Sequence, residues 1–421
     1  FVATRKIDKA RFYFNKALTL KPDDYEVLKD LGNTYQAIGD SNTAKNYYKK
    51  AIAINSSYAP ALTNLGIIEL SKGNKQNALS LLIKAADSDP QLTAAWINLA
   101  HGYVQLGKLQ EAENPLRKSI ELNPNLLNSH FLLSSILIGQ NKLQEAEHHL
   151  RRAIALKPNF FQAHLKLGSL LKDLGKLKEA ELSTRKSIAF NPDFAEAHSN
   201  LGNILSNLGK LKEAEISYRK AIELKPNFAG SHYNLGVIFK DLGNLKEAEI
   251  SYRKAIALNP DFAAAHSNLG NILRVLGNLK EAEISYRKAI ELNPDFAEAY
   301  ANLGNILINL GNLKEAEIST RKAIDLKPYF AETHSQLGYI LLDLKKLDES
   351  YSSFKRAINL KKEYKSAIEG LGRTLVRKGN HKEGLKIMKE AQGYIKFSLD
   401  TGLSINYDGK TINLKKTKSQ S

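Results

Sequence analysis

Proline stands at positions 22, 90, 124, 158, 192, 226, 260, 294 and 328, each 34 residues from the next once Ser56 is counted in the one slot without proline. An ordinary globular core has no use for such a period, but an array of repeated supersecondary units does. Eleven leucines, from Leu31 and Leu65 through Leu371, keep the same beat. The next residue is glycine at Gly32, Gly66, Gly168, Gly202, Gly236, Gly270, Gly304, Gly338 and Gly372, with small Ala100 and Ser134 as the departures. One such unit cannot bury its own apolar face, so the chain must stack its units into a solenoid.

The repeat overrides the two or three domains that 421 residues would ordinarily predict. A hydrophobic content of 43% is ample for a continuous quasi-linear core. With no cysteine, disulfides, thiolate zinc sites and cysteine nucleophiles are excluded. That composition suits a reducing compartment, and a cytoplasmic location is the expectation. The longest nearly apolar run, from Phe131 to Ile138, is far too short to span a bilayer. Phe1 opens the chain inside a repeat, which points to a missing natural N-terminus, so a lost signal stays open.

A net charge of +17 invites a nucleic-acid reading, and its distribution argues against one. From Ala195 to Phe228, Lys210, Lys212, Arg219, Lys220 and Lys225 face Glu196, Glu213, Glu215 and Glu223, a surplus of one positive charge. Repetition makes the total large without making a focused patch. The expected partner is therefore a protein or peptide. The oligomeric state is not readable from the sequence.

Each unit reads as two antiparallel helices. In the unit from Ala195, apolar or small Ala197, Leu201, Ile204, Leu205 and Leu208 predict helix A, with Gly209 as its left-handed C-cap. Ala214, Tyr218, Ala221 and Ile222 mark helix B, which Pro226 ends because it lacks an N–H. Phe228, with equivalents such as Phe262 and Phe296, then seals the junction with the next unit.

This pattern of Leu-Gly, an aromatic, two alanines and a terminal proline over 34 residues resembles the tetratricopeptide repeat family. The resemblance implies an all-α, right-handed α-solenoid of about eleven and a half helix pairs, and the residues add a short β-like C-terminal tail. Residues 1–24 hold a partial unit (Ala10, Phe14, Ala17 and Pro22 on its second helix). Residues 25–394 hold eleven units starting at 25, 59, 93, 127, 161, 195, 229, 263, 297, 331 and 365. Residues 395–421 alternate as a short β-meander, with turns at Asp400-Thr-Gly and Asp408-Gly409, before a basic, frayed end.

The four units starting at Ala195, Ala229, Ala263 and Ala297 have almost invariant B helices and differ on helix A. The variable residues are the fifth (Ser199, Tyr233, Ser267, Ala301), the twelfth (Ser206, Lys240, Arg274, Ile308) and the thirteenth, which share one helix face. In tetratricopeptide arrays that face lines the concave groove, so the resemblance places diversity where a ligand would lie. The same face carries an asparagine ladder at Asn64, Asn98, Asn200, Asn234, Asn268 and Asn302, with Gln336 in register and Leu132 and Lys166 as interruptions. Asparagine both donates and accepts, so the column suits gripping an extended backbone, with Tyr233, Lys240 and Arg274 selecting side chains. A similar ladder marks the arrays of protein O-GlcNAc transferases. Lys29, Asn33 and Asn64 resemble part of the carboxylate clamp by which some members of the family hold a chaperone's C-terminus; Ala94 and Asn98 stand where its further basic residues would be.

Histidines at 130, 164, 198, 232, 266 and 334 sit one repeat apart, roughly the 8–10 Å of a helix packing. That spacing is too wide for one metal ion, and Trp96 and Tyr300 fill the same slot, so these are read as packing residues without a metal or cofactor. No nucleophile–base pair or phosphate loop emerges, Asp400-Thr401-Gly402 is turn chemistry, and Leu-Gly-Asn is read as helix punctuation. The expectation is a non-enzymatic scaffold that binds an extended polypeptide in its groove. The alternative is the substrate-recruiting arm of a glycosyltransferase whose catalytic part lies outside this chain.

Overall fold

The computed structural model describes the backbone of residues 2–392, 394–398, 402–407 and 410–414, and the side chains of residues 6–389. It is an all-α array of paired helices. A first helix, Val2–Leu20, precedes eleven pairs running from Tyr25–Ala37 and Ser41–Ile54 to Lys365–Arg377 and His381–Gln392. The chain divides into two compact units, Phe1–Gly209 and Lys210–Ser421.

The punctuation is local chemistry. Asp24 and Asp40 cap their helices by accepting from Val27 N and Thr43 N at 3.2 and 3.0 Å. Later A helices begin after an aromatic such as Phe228 or Phe262, with no side-chain cap. The turn from helix A to helix B needs a left-handed residue, and Gly243, Gly277 and Gly311 supply it at φ of 80 to 84°. Asn141 and Lys345 hold the same conformation at 60 and 62°. For Lys345 this costs about 1–2 kcal/mol.

Inside a pair, helix A's glycine is matched in size to one residue at the middle of helix B. A Cβ at Gly236 would lie 2.8 Å from the Tyr252 ring, and one at Gly270 equally close to that of Tyr286. Both rings are fully buried. The leucine–glycine beat therefore does more than bring two backbones together: in these repeats it opens a slot for an aromatic ring, and at Gly66 and Gly168 for Leu82 and Thr184. Ala248, Ala255, Ala282 and Ala289, also fully buried, complete these pairs.

Three antiparallel strands follow, Tyr394–Ser398, Gly402–Tyr407 and Lys410–Leu414, in sequential order with Ile405 opposite both Ile395 and Ile412. Residues 399–401 and 408–409 of the expected turns, and the basic end beyond Leu414, lie outside the described residues.

Candidate functional site

The asparagine ladder is not a row of open amides. Asn64 Nδ2 donates to Asn33 Oδ1 at 2.8 Å, Asn268 Nδ2 to the Tyr233 hydroxyl at 3.0 Å, and Asn302 Nδ2 to Asn271 Oδ1 at 3.1 Å. Asn98 bonds the Ala94 carbonyl of its own helix at 2.7 Å, and buried Asn200 reaches Thr184 Oγ1 at 3.3 Å. Gln336 donates to Ala301 O at 3.0 Å, and Asn234 is half-buried in the same register. A buried or half-buried amide must find partners, and for Asn64, Asn268, Asn302 and Gln336 these lie on the preceding A helix. Where the ladder breaks, Lys166 donates to Ser135 Oγ at 2.9 Å with its ammonium 5.1 Å from the Phe131 ring centre. Burial holds its pKa below the ordinary lysine value.

A second asparagine position explains these bonds. Asn271 accepts from both Asn302 and the Tyr286 hydroxyl, the latter at 2.8 Å. Asn33 likewise accepts from Asn64 and the Tyr48 hydroxyl, at 2.8 Å each. Burial pushes both phenols up to about 12. These asparagines belong to the mid-helix Leu-Gly-Asn triplets, where the third residue is a network partner; the triplets at Leu242, Leu276 and Leu310 do punctuate, closing helix A and opening helix B. The signal is in the sequence: Asn33, Asn203, Asn271 and Asn305 recur at the period, and Tyr48, Tyr218 and Tyr286 follow 15 residues after the first three.

The predicted selecting residues separate. Tyr233 is half-buried, its ring 4.7 Å from Phe262 and 5.8 Å from Tyr252, so it packs. Ser199 and Ser267, also in the variable fifth position, are buried, which removes that position from any open surface in their repeats. Lys240 and Arg274 are exposed near the ends of their helices, Lys240 paired with Asp241 at 3.3 Å.

Lys29 and Asn33 do come together, around a carboxylate that the chain supplies itself, and Asn64 joins them through its bond to Asn33. Lys29 Nζ is 2.5 Å and Asn33 Nδ2 3.3 Å from Asp30 Oδ1. Burial is the largest single influence and works against the Lys29 charge, but the bond to Asp30 and the charges of Tyr58, Asp30 and Glu26 together outweigh it and keep the pKa raised.

The periodic histidines have a definite role. Nε2 of His130, His164, His198, His232, His266 and His334 lies 2.8–3.0 Å from the carbonyl of the proline six residues earlier. A carbonyl only accepts, so each Nε2 carries the proton. Trp96 Nε1 makes the same bond to Pro90 O at 2.9 Å. Each ring thus ties the end of one helix B to the next helix A. Among the described residues no three His, Cys, Asp or Glu side chains are grouped to hold a metal ion.

One open cavity lies on the A-helix face of the second unit, with a volume of about 370 Å³. Three successive repeats line it: Asn302, Asn305 and Ile308; Glu332, Gln336, Tyr339 and Tyr364; and Ser366. Tyr339 OH donates to Ser366 O at 2.6 Å, and its ring meets Phe354 edge-on. Glu332 is paired with Lys361 at 3.0 Å.

A helix pair of 34 residues, repeated eleven times and locked by small residues and a terminal proline, is the tetratricopeptide repeat. The chain belongs to this family, and within it to the one described as cilia and flagella-associated protein 70 C-terminal domain, whose model matches residues 8–234, more than half its length. Tetratricopeptide-repeat models match residues 229–262, 251–284, 270–311, 297–330 and 331–364. No curated protein matches. Similar solved structures include YrrB, titled a TPR protein with an unusual peptide-binding site, at 26% identity and a TM-score of 0.40, covering 44% of this chain and 95% of that one. Two structures of MamA match at 26% and 25% identity, with TM-scores of 0.38 and 0.39; they cover 38% and 41% of this chain and 95% of their own. As a tetratricopeptide array, the chain is of the protein-interaction scaffold class. No helix of the described residues is long and apolar enough to cross a membrane.

Proposed function

We propose that the A-helix face of the second unit binds an extended segment of a partner polypeptide, anchored in the cavity between the Ala297, Ala331 and Lys365 repeats. The observation that carries this is the cavity's lining: amides, hydroxyls and two tyrosine rings from three consecutive repeats. An extended backbone alternates donors and acceptors, and amides meet both. The internal bond of Asn302 or Gln336 occupies one N–H and leaves hydrogen-bonding capacity on the amide. Lys240 and Arg274, exposed further along the array, favour an acidic residue in the segment.

The test is selection of phage-displayed random peptides on the full chain, followed by affinity measurement against Asn305→Trp. Asn305 is exposed, and a Trp there fills the cavity from its rim. Selected peptides should lose at least about tenfold in affinity, with the circular dichroism spectrum unchanged. Peptides that bind the variant as well as the parent place binding elsewhere, and failure to select any removes the reading.

A further inference from the structure

The A-helix face leaves the outer surface of the B helices unexplained. In the second unit each of four successive B helices presents the same triplet at positions i, i+3 and i+7, which fall on one side of a helix. The triplets are Glu213-Ile216-Lys220, Glu247-Ile250-Lys254, Glu281-Ile284-Lys288 and Glu315-Ile318-Lys322. The central isoleucines are exposed at 68, 68, 66 and 70%. Single exposed aliphatics are commonplace, but a row of them in one register is not. Towards the C-terminus the row ends, because the next two repeats carry Ser352 and Lys386 at this position, while one repeat earlier Leu182 holds it, 60% exposed. Its gaps are apolar as well: cavities of about 420 and 480 Å³ open beside Ile284 and Ile318, floored by Ile256 and Leu269 and by Ile290 and Leu303.

We propose that this face binds a second copy of the same chain, about a two-fold axis parallel to the isoleucine row. Pitch and charge choose that occupant. To meet all four isoleucines, a partner must offer apolar groups at the spacing of packed helices, roughly 8–10 Å. A second copy does so by construction. Rotation about an axis along the row keeps repeat opposite repeat and exchanges the flanks, laying each glutamate row on a lysine row. Rotation about the perpendicular in-plane axis sets glutamate against glutamate and is rejected. Glu281 and Glu315 already meet Arg253 and Arg287, and Lys288 meets Glu291, all at 2.6 Å and all partly exposed. The flanks therefore fix orientation, while the apolar row supplies affinity.

Sedimentation velocity of the full chain, from about 1 to about 100 μM, tests this directly. The parent should dimerise within that range. The variant Ile216→Ser/Ile250→Ser/Ile284→Ser/Ile318→Ser, which installs the residue found at 352, should weaken association at least about a hundredfold at unchanged helicity. The chain has no cysteine, so Ile250→Cys gives a second test that does not depend on the quadruple variant folding. Because the axis sets residue 250 against its own counterpart, mild oxidation should cross-link Ile250→Cys and leave Lys246→Cys uncoupled. A parent monomeric throughout overturns the proposal in favour of a different partner. Dimerisation untouched by the serines, or cross-linking at 246 as fast as at 250, overturns it as well.

Discussion

Three residues beyond the first alanine of helix B, one repeat of the first unit carries His149 where its neighbour carries Ser183 and the second unit carries Ser251, Ser285 and Ser319. The serine is the ordinary solution: Ser319 Oγ donates to the Tyr300 carbonyl at 2.9 Å. His149 instead meets His130, Nδ1 to Nδ1 at 2.8 Å, both rings buried. His130 gives its Nε2 proton to Pro124 O, so its Nδ1 accepts and His149 donates. Burial, reinforced by the neighbouring His130, lowers His149 to about 4, and burial lowers His130 too. The same slot thus holds a serine-to-carbonyl bond in the second unit, and in one repeat of the first unit a pair of groups that must stay uncharged. Near-identical repeats share their solutions; divergent repeats need private ones.

The largest expected effect breaks that symmetry with acid. A folded histidine pKa below the unfolded value of about 6.5 contributes stability that is complete above pH 6.5 and lost as pH falls toward 4, here about 3 kcal/mol. Trp96, the single tryptophan, lies in the first unit and reports its unfolding alone. Urea melts followed by its fluorescence should weaken between pH 7 and pH 4.5, and His149→Ser should flatten the dependence. Equal acid sensitivity in that variant would refute the histidine pair as its source.

Packing comes next. Gly270→Ala in the second unit forces the Tyr286 ring to shift, costing about 1–3 kcal/mol by denaturant titration. A smaller difference separates two repeats with the same B helix. Tyr286 OH has Asn271 as partner, whereas the Tyr252 hydroxyl is buried without a hydrogen-bond partner among the described residues, because Val237 stands where the asparagine would be. Tyr286→Phe should cost about 1 kcal/mol and Tyr252→Phe nothing or a slight gain. Val237→Asn should then make Tyr252→Phe as costly as its neighbour; a cost that stays at zero would sever the link between the two positions. The smallest effect belongs to the exposed Arg287–Glu315 pair between B helices: Arg287→Ala should cost less than about 1 kcal/mol and vanish in high salt.

The repeat length, the helix pairs, their glycine turns and the small residues between them follow from the sequence alone, since period and backbone preference are local properties. Which face a residue serves is not local. Asn271 and the ladder's Asn302 look alike in one dimension, yet Asn271 accepts the bond and Asn302 gives it, and a tyrosine 15 residues away decides the matter. Tyr233 reads as a ligand-selecting side chain until Phe262 and Tyr252 close around it. Hydrogen-bond direction and burial depend on what the neighbouring repeat brings to within about 3 Å, and only the tertiary structure supplies that neighbour.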